Sequence, residues 1–233
     1  MLMGYVSRKV LGQYDLFLAP DDDGLLYFIG PNVAGVEKRF GFDPRQFRLW
    51  LSLHEVAHRV QFGSVRWLRS HVVGQIDSYV SHMDLDPKRV MAALRRAVEE
   101  VRKRGARGAD LIALLMTPQQ RDVFEHLQAL MSLLEGHGNF VMDRVGQGRV
   151  PSAPRMRKTL QERRRASPIE RQFQRVIGFD RKVRQYDVGE RFVAHVVDRV
   201  GMEGFNRVWT DASTLPTLQE IAQPDRWVDR VSP

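Results

Sequence analysis

Residues 51–60 read Leu-Ser-Leu-His-Glu-Val-Ala-His-Arg-Val, and His54 and His58 set the strongest condition on what the chain can fold into. On an α-helix, residues four apart stand one turn above each other on one face. Two imidazoles so placed can grip one metal ion, and Zn²⁺ takes nitrogen ligands at roughly 2.0–2.1 Å. Glu55 leaves the same helix at a different angle and so can reach past the ion to a water instead of ligating. A metal lowers the pKa of its water from about 15.7 to about 7, and a nearby carboxylate can then take the proton. A catalytic zinc needs three protein ligands. The chain has no cysteine, so the third must be a His, Glu or Asp. The fold must therefore pack a second element bearing such a residue against the histidine face.

The His-Glu-x-x-His spacing is a hypothesis whose confirmation is its context. The bland alternative is an amphipathic helix with two ordinary histidines and a solvated Glu. Against it, Leu51, Leu53, Val56, Ala57 and Val60 surround the motif and predict dry surroundings that suit a metal. Asp43-Pro44-Arg45-Gln46 announces the helix: Asp43 as N-cap, Pro44 at the first helical position, Gln46 to complete a capping box. Phe47, Trp50, Leu51, His54 and His58 follow at 3–4 spacing on one face. A second helical stretch runs from about 65 to 79, with His71 in it and His82 after it; both read as ordinary histidines. Asp86-Pro87 opens a further helix that Gly105 stops.

The second bearing element is predicted downstream. Thr117-Pro118-Gln119-Gln120 has the form of another capping box. The helix behind it carries Leu127, Leu130, Leu134, Val141 and Val145, and within it lies Leu133-Leu134-Glu135-Gly136-His137-Gly138-Asn139. Two glycines inside a helix cost about 1 kcal/mol each against Ala, and a close approach of another helix would explain that cost. Placed against the first helix, Glu135 supplies the third ligand, with His137 as the rival candidate. Asn139 and Asp143, one and two turns on, are candidates for bonds to the imidazole N–H groups; for Asp143 a salt bridge to one of the many arginines is as good a reading.

The N-terminus reads as strand material. Residues 13–18 and 25–29 are short β-prone runs around the turn signal Ala19-Pro20-Asp21-Asp22-Asp23-Gly24. A lone hairpin is marginal and must pack on the helices, either as cover for the core or as an edge that holds substrate backbone. Residues 146–154 are loop-like, 155–165 heavily basic, and Ser167-Pro168 and Thr217-Leu218-Gln219-Glu220 signal further helix starts. The expected fold is mainly α (α+β): one helical domain over residues 1–233 with a small N-terminal β-hairpin.

Composition bounds the function. With 233 residues, 43% hydrophobic and 27% charged, the chain is in the globular range and can bury a substantial core. No apolar run reaches the eighteen residues of a membrane span, and the first residues have no signal-peptide core; a cysteine-free chain of this kind is expected in the cytoplasm. The net charge of +8 permits acidic partners without identifying one. A nucleic-acid-binding protein is a weaker reading, since the 36 Lys+Arg come with no recognised binding motif or interleaved aromatic platform.

Six stretches carry a resemblance: VLGQYDL, LLYFIGPNV, FRLWLSLHEVAHRVQF, LMSLLEGHGNFVMDRVG, KVRQYDVGERFV and LPTLQEIAQPDRWVDRV. In this order, over nearly the whole chain, they resemble the zincin-like metallopeptidases of the second type, bacterial zinc hydrolases often labelled as associated with biosynthesis of a deazaflavin coenzyme. The resemblance implies a mostly helical zincin-like fold, zinc on His54 and His58, Glu55 as general base, and support for Glu135 as third ligand. Members look longer at the N-terminus, so a leading segment is expected to be missing here. The expected activity is zinc-assisted hydrolysis of a peptide bond in a peptide or protein substrate, with Tyr186 and His137 as candidate oxyanion donors. A zinc-stabilised scaffold without catalysis would keep the same ligands.

Overall fold

The computed structural model describes residues 10–15, 25–81, 95, 116–166 and 186–232. Its fold is mainly α, with a two-stranded antiparallel hairpin at the N-terminus. β1 (Gly12–Tyr14) pairs with β2 (Leu26–Phe28), Gln13 opposite Tyr27. The strands are shorter than the β-prone runs. Residues 16–24 and the turn signal in them lie outside the described residues, as do His82, the Asp86-Pro87 and Ser167-Pro168 start signals and Gly105.

Helices follow in the order α1 (Gly30–Phe40), α2 (Pro44–Ser64), α3 (Leu68–Ser81), α4 (Pro118–Gly146), α5 (Ala153–Ala166), α6 (Tyr186–Asn206), α7 (Leu218–Ala222) and α8 (Pro224–Val231). Two single 3-10 turns, Arg207–Trp209 and Ala212–Thr214, lie between α6 and α7. Gly201 interrupts α6 with φ 74° and ψ 174°, outside the helical region and tolerated by a residue without Cβ. α1 is a helix that the strand-and-turn reading did not anticipate. Its signals are Pro31 at the first turn and a left-handed Gly41 after its last residue, φ 60°, the usual N-terminal proline and C-terminal glycine.

The caps explain where helices begin. Asp43 accepts from the Gln46 backbone at 2.8 Å and starts α2. The Gln46 side chain does not reach back to complete a box; its Oε1 accepts from the Ser152 backbone N–H and hydroxyl, at 3.1 and 2.7 Å, and pins the turn before α5. Full capping boxes do form at Thr117/Gln120 and Thr217/Glu220.

Among the described residues, three apolar clusters hold the helices. Ala129, Leu133 and Phe140 of α4 pack with Phe192, Val193 and Val196 of α6 and with Ile221, Trp227 and Val228. Val33 and Val36 of α1, Phe47 and Leu51 of α2, and Met156 and Leu160 of α5 form a second cluster. Leu68 and Val72 of α3 meet Leu130 and Leu134 of α4 in the third. Long α4 thus touches α3 and α6 through two apolar faces and α2 through another, which carries Glu135. Val145, expected on an apolar face, is exposed at the end of α4. No helix among the described residues is long and apolar enough to cross a membrane.

Candidate metal centre

The site forms where α2 crosses α4. His54 and His58 project from successive turns of α2, with ring centroids 4.7 Å apart at a near-perpendicular angle. Their Nε2 atoms stand 3.2 Å from each other. Glu135 of α4 meets both, Oε2 lying 3.6 Å from His54 Nε2 and Oε1 3.7 Å from His58 Nε2. These three are the group of His, Asp and Glu side chains among the described residues with donor atoms close enough to hold one metal ion.

Two observations test whether this set suits zinc. Three ligands about 2.1 Å from a tetrahedral ion stand about 3.4 Å from one another, close to the spacings found. The second is Gly138 of α4. A Cβ there would lie 3.3 Å from His58 Cε1 and 3.8 Å from His54 Cε1, so the missing side chain leaves the room the two rings occupy. Two nitrogens and a carboxylate with no sulfur is also a zinc-hydrolase donor set. The residues fit a zinc ion.

Glu55 is 6% exposed and faces β1 instead of joining the three. A Cβ on Gly12 would stand 2.6 Å from Glu55 Oε1 and 2.8 Å from its Cγ, so the strand lies flat on the carboxyl because position 12 has no side chain. Burial pushes the Glu55 carboxyl up to about 7, with neighbouring Glu135 adding to the rise; His58 and a hydrogen bond from the Tyr14 backbone oppose it. A cation on the three neighbours would draw it down again. Tyr14 itself stacks on Phe62 of α2, 5.3 Å between centroids, fixing β1 over the motif. The surroundings are dry on this side only: Val56 and Val60, expected to line the histidines, point away and are 44% and 57% exposed.

His137 stands apart from the three. Its ring stacks on Phe205 and meets Trp209 edge-on, and burial, with the neighbouring His58, lowers its pKa to about 4. Asn139 is half-buried and is not bonded to either metal-facing ring. Asp143 pairs with Arg157 of α5 at 2.6 Å; that guanidinium also donates to both oxygens of Glu190 on α6, at 2.7 and 2.8 Å. Burial and Glu190 raise the Asp143 pKa against the pull of Arg157. Tyr186 opens α6, but its side chain lies outside the described residues. His71, read as ordinary, packs edge-on against Trp67.

The sequence reading missed Gln61. It is 4% exposed, one turn past His58 on the same face of α2. Its Oε1 lies 2.8 Å from His58 Nδ1, and its Nε2 3.0 Å from the Leu134 carbonyl and 2.8 Å from His137 Nδ1. An amide at the third position after a metal-facing histidine, on a helix face already turned inward, was the available signal.

A crystal structure from Chloroflexus aurantiacus, described as a putative hydrolase with a novel fold, superposes with a TM-score of 0.68 at 35% identity, over 98% of this chain and 65% of that one. The chain thus spans about two thirds of that protein's length. No curated protein matches. The model of the zincin-like metallopeptidase family matches residues 1–228, nearly the full length, and the chain belongs to that family.

Proposed function

We propose that the protein is a zinc-dependent hydrolase that cleaves peptide bonds in a peptide or protein substrate, in the cytoplasm. The observation that carries this reading is the convergence of His54, His58 and Glu135 at 3.2–3.7 Å with Glu55 buried alongside. His54, His58 and Glu135 would hold the ion. When bound, zinc would supply Lewis acidity, acidifying a water and polarising the carbonyl to be attacked. Glu55 would take one proton from the attacking water as the water oxygen bonds to the carbonyl carbon. It returns the proton to the amide nitrogen as the C–N bond breaks, leaving a carboxylic acid and an amine. Position 55 suits this shuttle because burial raises its carboxyl to about 7, near the working range of a general base.

Glu55→Gln tests the assignment. The variant should keep one zinc per protomer and lose turnover by at least about a hundredfold, the usual scale for removing a general base. Retained turnover would sink the role of Glu55. Glu135→Ala should lose the metal itself. A protein that is folded yet holds no zinc would end the hydrolase reading. A metal-stabilised scaffold is the competing reading, and the cover of Gly12 over Glu55 favours it; zinc-loaded wild type that cleaves nothing in a broad peptide library would select it.

A further inference from the structure

One buried amide, that of Gln61, touches both sides of the metal centre. A primary amide has two donor hydrogens on nitrogen and accepts only on oxygen. The Leu134 carbonyl, 3.0 Å from Gln61 Nε2, can only accept, so nitrogen must face α4. Reversal would set two carbonyl oxygens against each other in a site 4% exposed, where an unmade hydrogen bond carries its full desolvation cost. With nitrogen so fixed, Oε1 faces His58 Nδ1 at 2.8 Å, and the hydrogen in that bond must come from the imidazole. A neutral ring protonated on Nδ1 has its lone pair on Nε2, the atom 3.2 Å from His54 and 3.7 Å from Glu135. The second amide hydrogen points at His137 Nδ1, 2.8 Å away. That nitrogen must accept, so His137 carries its hydrogen on Nε2.

We propose that Gln61 is a positioning residue that selects the tautomers of two imidazoles at once. It holds His58 in the Nδ1–H form, with Nε2 free for a metal, and engages His137 Nδ1 so that this ring does not compete as a ligand. The reference for both choices is a backbone carbonyl one residue before Glu135, so the register of α4 that delivers the third ligand also orients the second. Outer partners of ligating histidines act in this way, and losing one typically costs 10–100-fold in metal affinity. The consequence for affinity rests on reading the site as a zinc centre; the tautomers do not.

The test uses full-length protein with ¹⁵N-labelled histidine, metal-free and at a pH where the rings are neutral. Long-range ¹H–¹⁵N spectra distinguish the two tautomers, with His58 and His137 assigned by single substitutions. Wild type should show His58 as Nδ1–H and His137 as Nε2–H. Gln61→Leu, which keeps the volume and removes the amide, should release both rings to mixed tautomers and weaken zinc binding about 10–100-fold in competition with a chromophoric chelator. Gln61→Glu, kept neutral in this dry site so that its hydroxyl donates to the Leu134 carbonyl, returns an acceptor to His58 but no donor to His137. It should restore the His58 tautomer and most of the zinc affinity while turning His137 to Nδ1–H, a split that loss of packing alone does not produce. Wild-type His58 found as Nε2–H overturns the proposal, as does unchanged tautomer and affinity in Gln61→Leu. If wild type binds no zinc, the zinc reading fails while the spectra still decide the tautomers.

Discussion

At the scale of single residues, the site depends as much on side chains that are missing as on those present. Glycine at 138 leaves room for the two imidazoles, and glycine at 12 lets a strand lie on Glu55. Neither could be assigned from sequence, because a glycine announces permissiveness without saying what comes close. Gly12→Ala places a methyl 2.6 Å from Glu55 Oε1, and Glu55 must turn to avoid it. His54, His58 and Glu135 are not touched, so zinc content should be unchanged. Turnover of any peptide the wild type cleaves should fall on the order of tenfold to a hundredfold, since displacements of about 1 Å in a reacting group cost that much. Full activity in this variant, measured beside its zinc content, would show that β1 does not hold the base.

At the scale of elements, the deepest contact is between α4 and α6, and it too is made by glycine. A Cβ on Gly136 would lie 2.2 Å from the Gly189 carbonyl carbon, and one on Gly189 would lie 1.9 Å from the Ser132 carbonyl oxygen. The obstacles are backbone, which cannot swing aside, so Gly189→Ala must push the helices apart. Overpacking of this kind costs about 3 kcal/mol, or a fall in Tm of roughly 6–12 °C for a chain of this size. Gly74→Ala in α3 is the control: no described atom lies within 4 Å of a Cβ there, and the better helix propensity should stabilise by about 0.5–1 kcal/mol. Thermal melts of the two variants should move in opposite directions; a Gly189→Ala melt that stays in place would show that α4 and α6 do not need this close approach. The pair of glycines around His137 did point to a close helix approach, because two helix-breaking residues inside so apolar a helix call for a packing reason. The partner was not legible. Gly189 is 53 residues downstream of Gly136, and nothing local in Val188-Gly189-Glu190 names the helix it meets. Caps were legible for the opposite reason: Asp43, Thr117 and Thr217 act on backbone groups three residues away. Where a side chain had a better distant partner, as Gln46 has in Ser152, the local rule failed.

At the scale of the whole molecule, the cluster of His54, His58 and Glu135 is a long-range contact. His58 and Glu135 come from helices that also meet through Gln61 and the Leu134 carbonyl, and α4 in turn carries the packing of α3 and α6. The pairing of His54 with His58 was legible because residues four apart share one helix face. The position of Glu135 beside them was legible as that of the carboxylate on a long helix with an unexplained pair of glycines. The path from Gln61 to His137 was not, since it needs the relative rotation of α2 and α4. That architecture makes metal removal a test of global stability. Without a cation, two imidazoles and a carboxylate crowd within 3.2–3.7 Å, where a single ring N–H can bridge only part of what an ion would hold together. An ion that binds the folded chain and not the unfolded one stabilises it by about 2.7 kcal/mol at a hundred times its Kd, roughly 5–11 °C in Tm at this length. Chelation of the zinc-loaded protein should therefore lower Tm by that amount, and restoring zinc should reverse the fall. Glu135→Ala should melt at one temperature with or without chelator. A wild-type melt indifferent to chelation, in a sample shown by metal analysis to have lost its zinc, would mean that packing alone sets the α2–α4 crossing and that the ion contributes nothing to holding the fold.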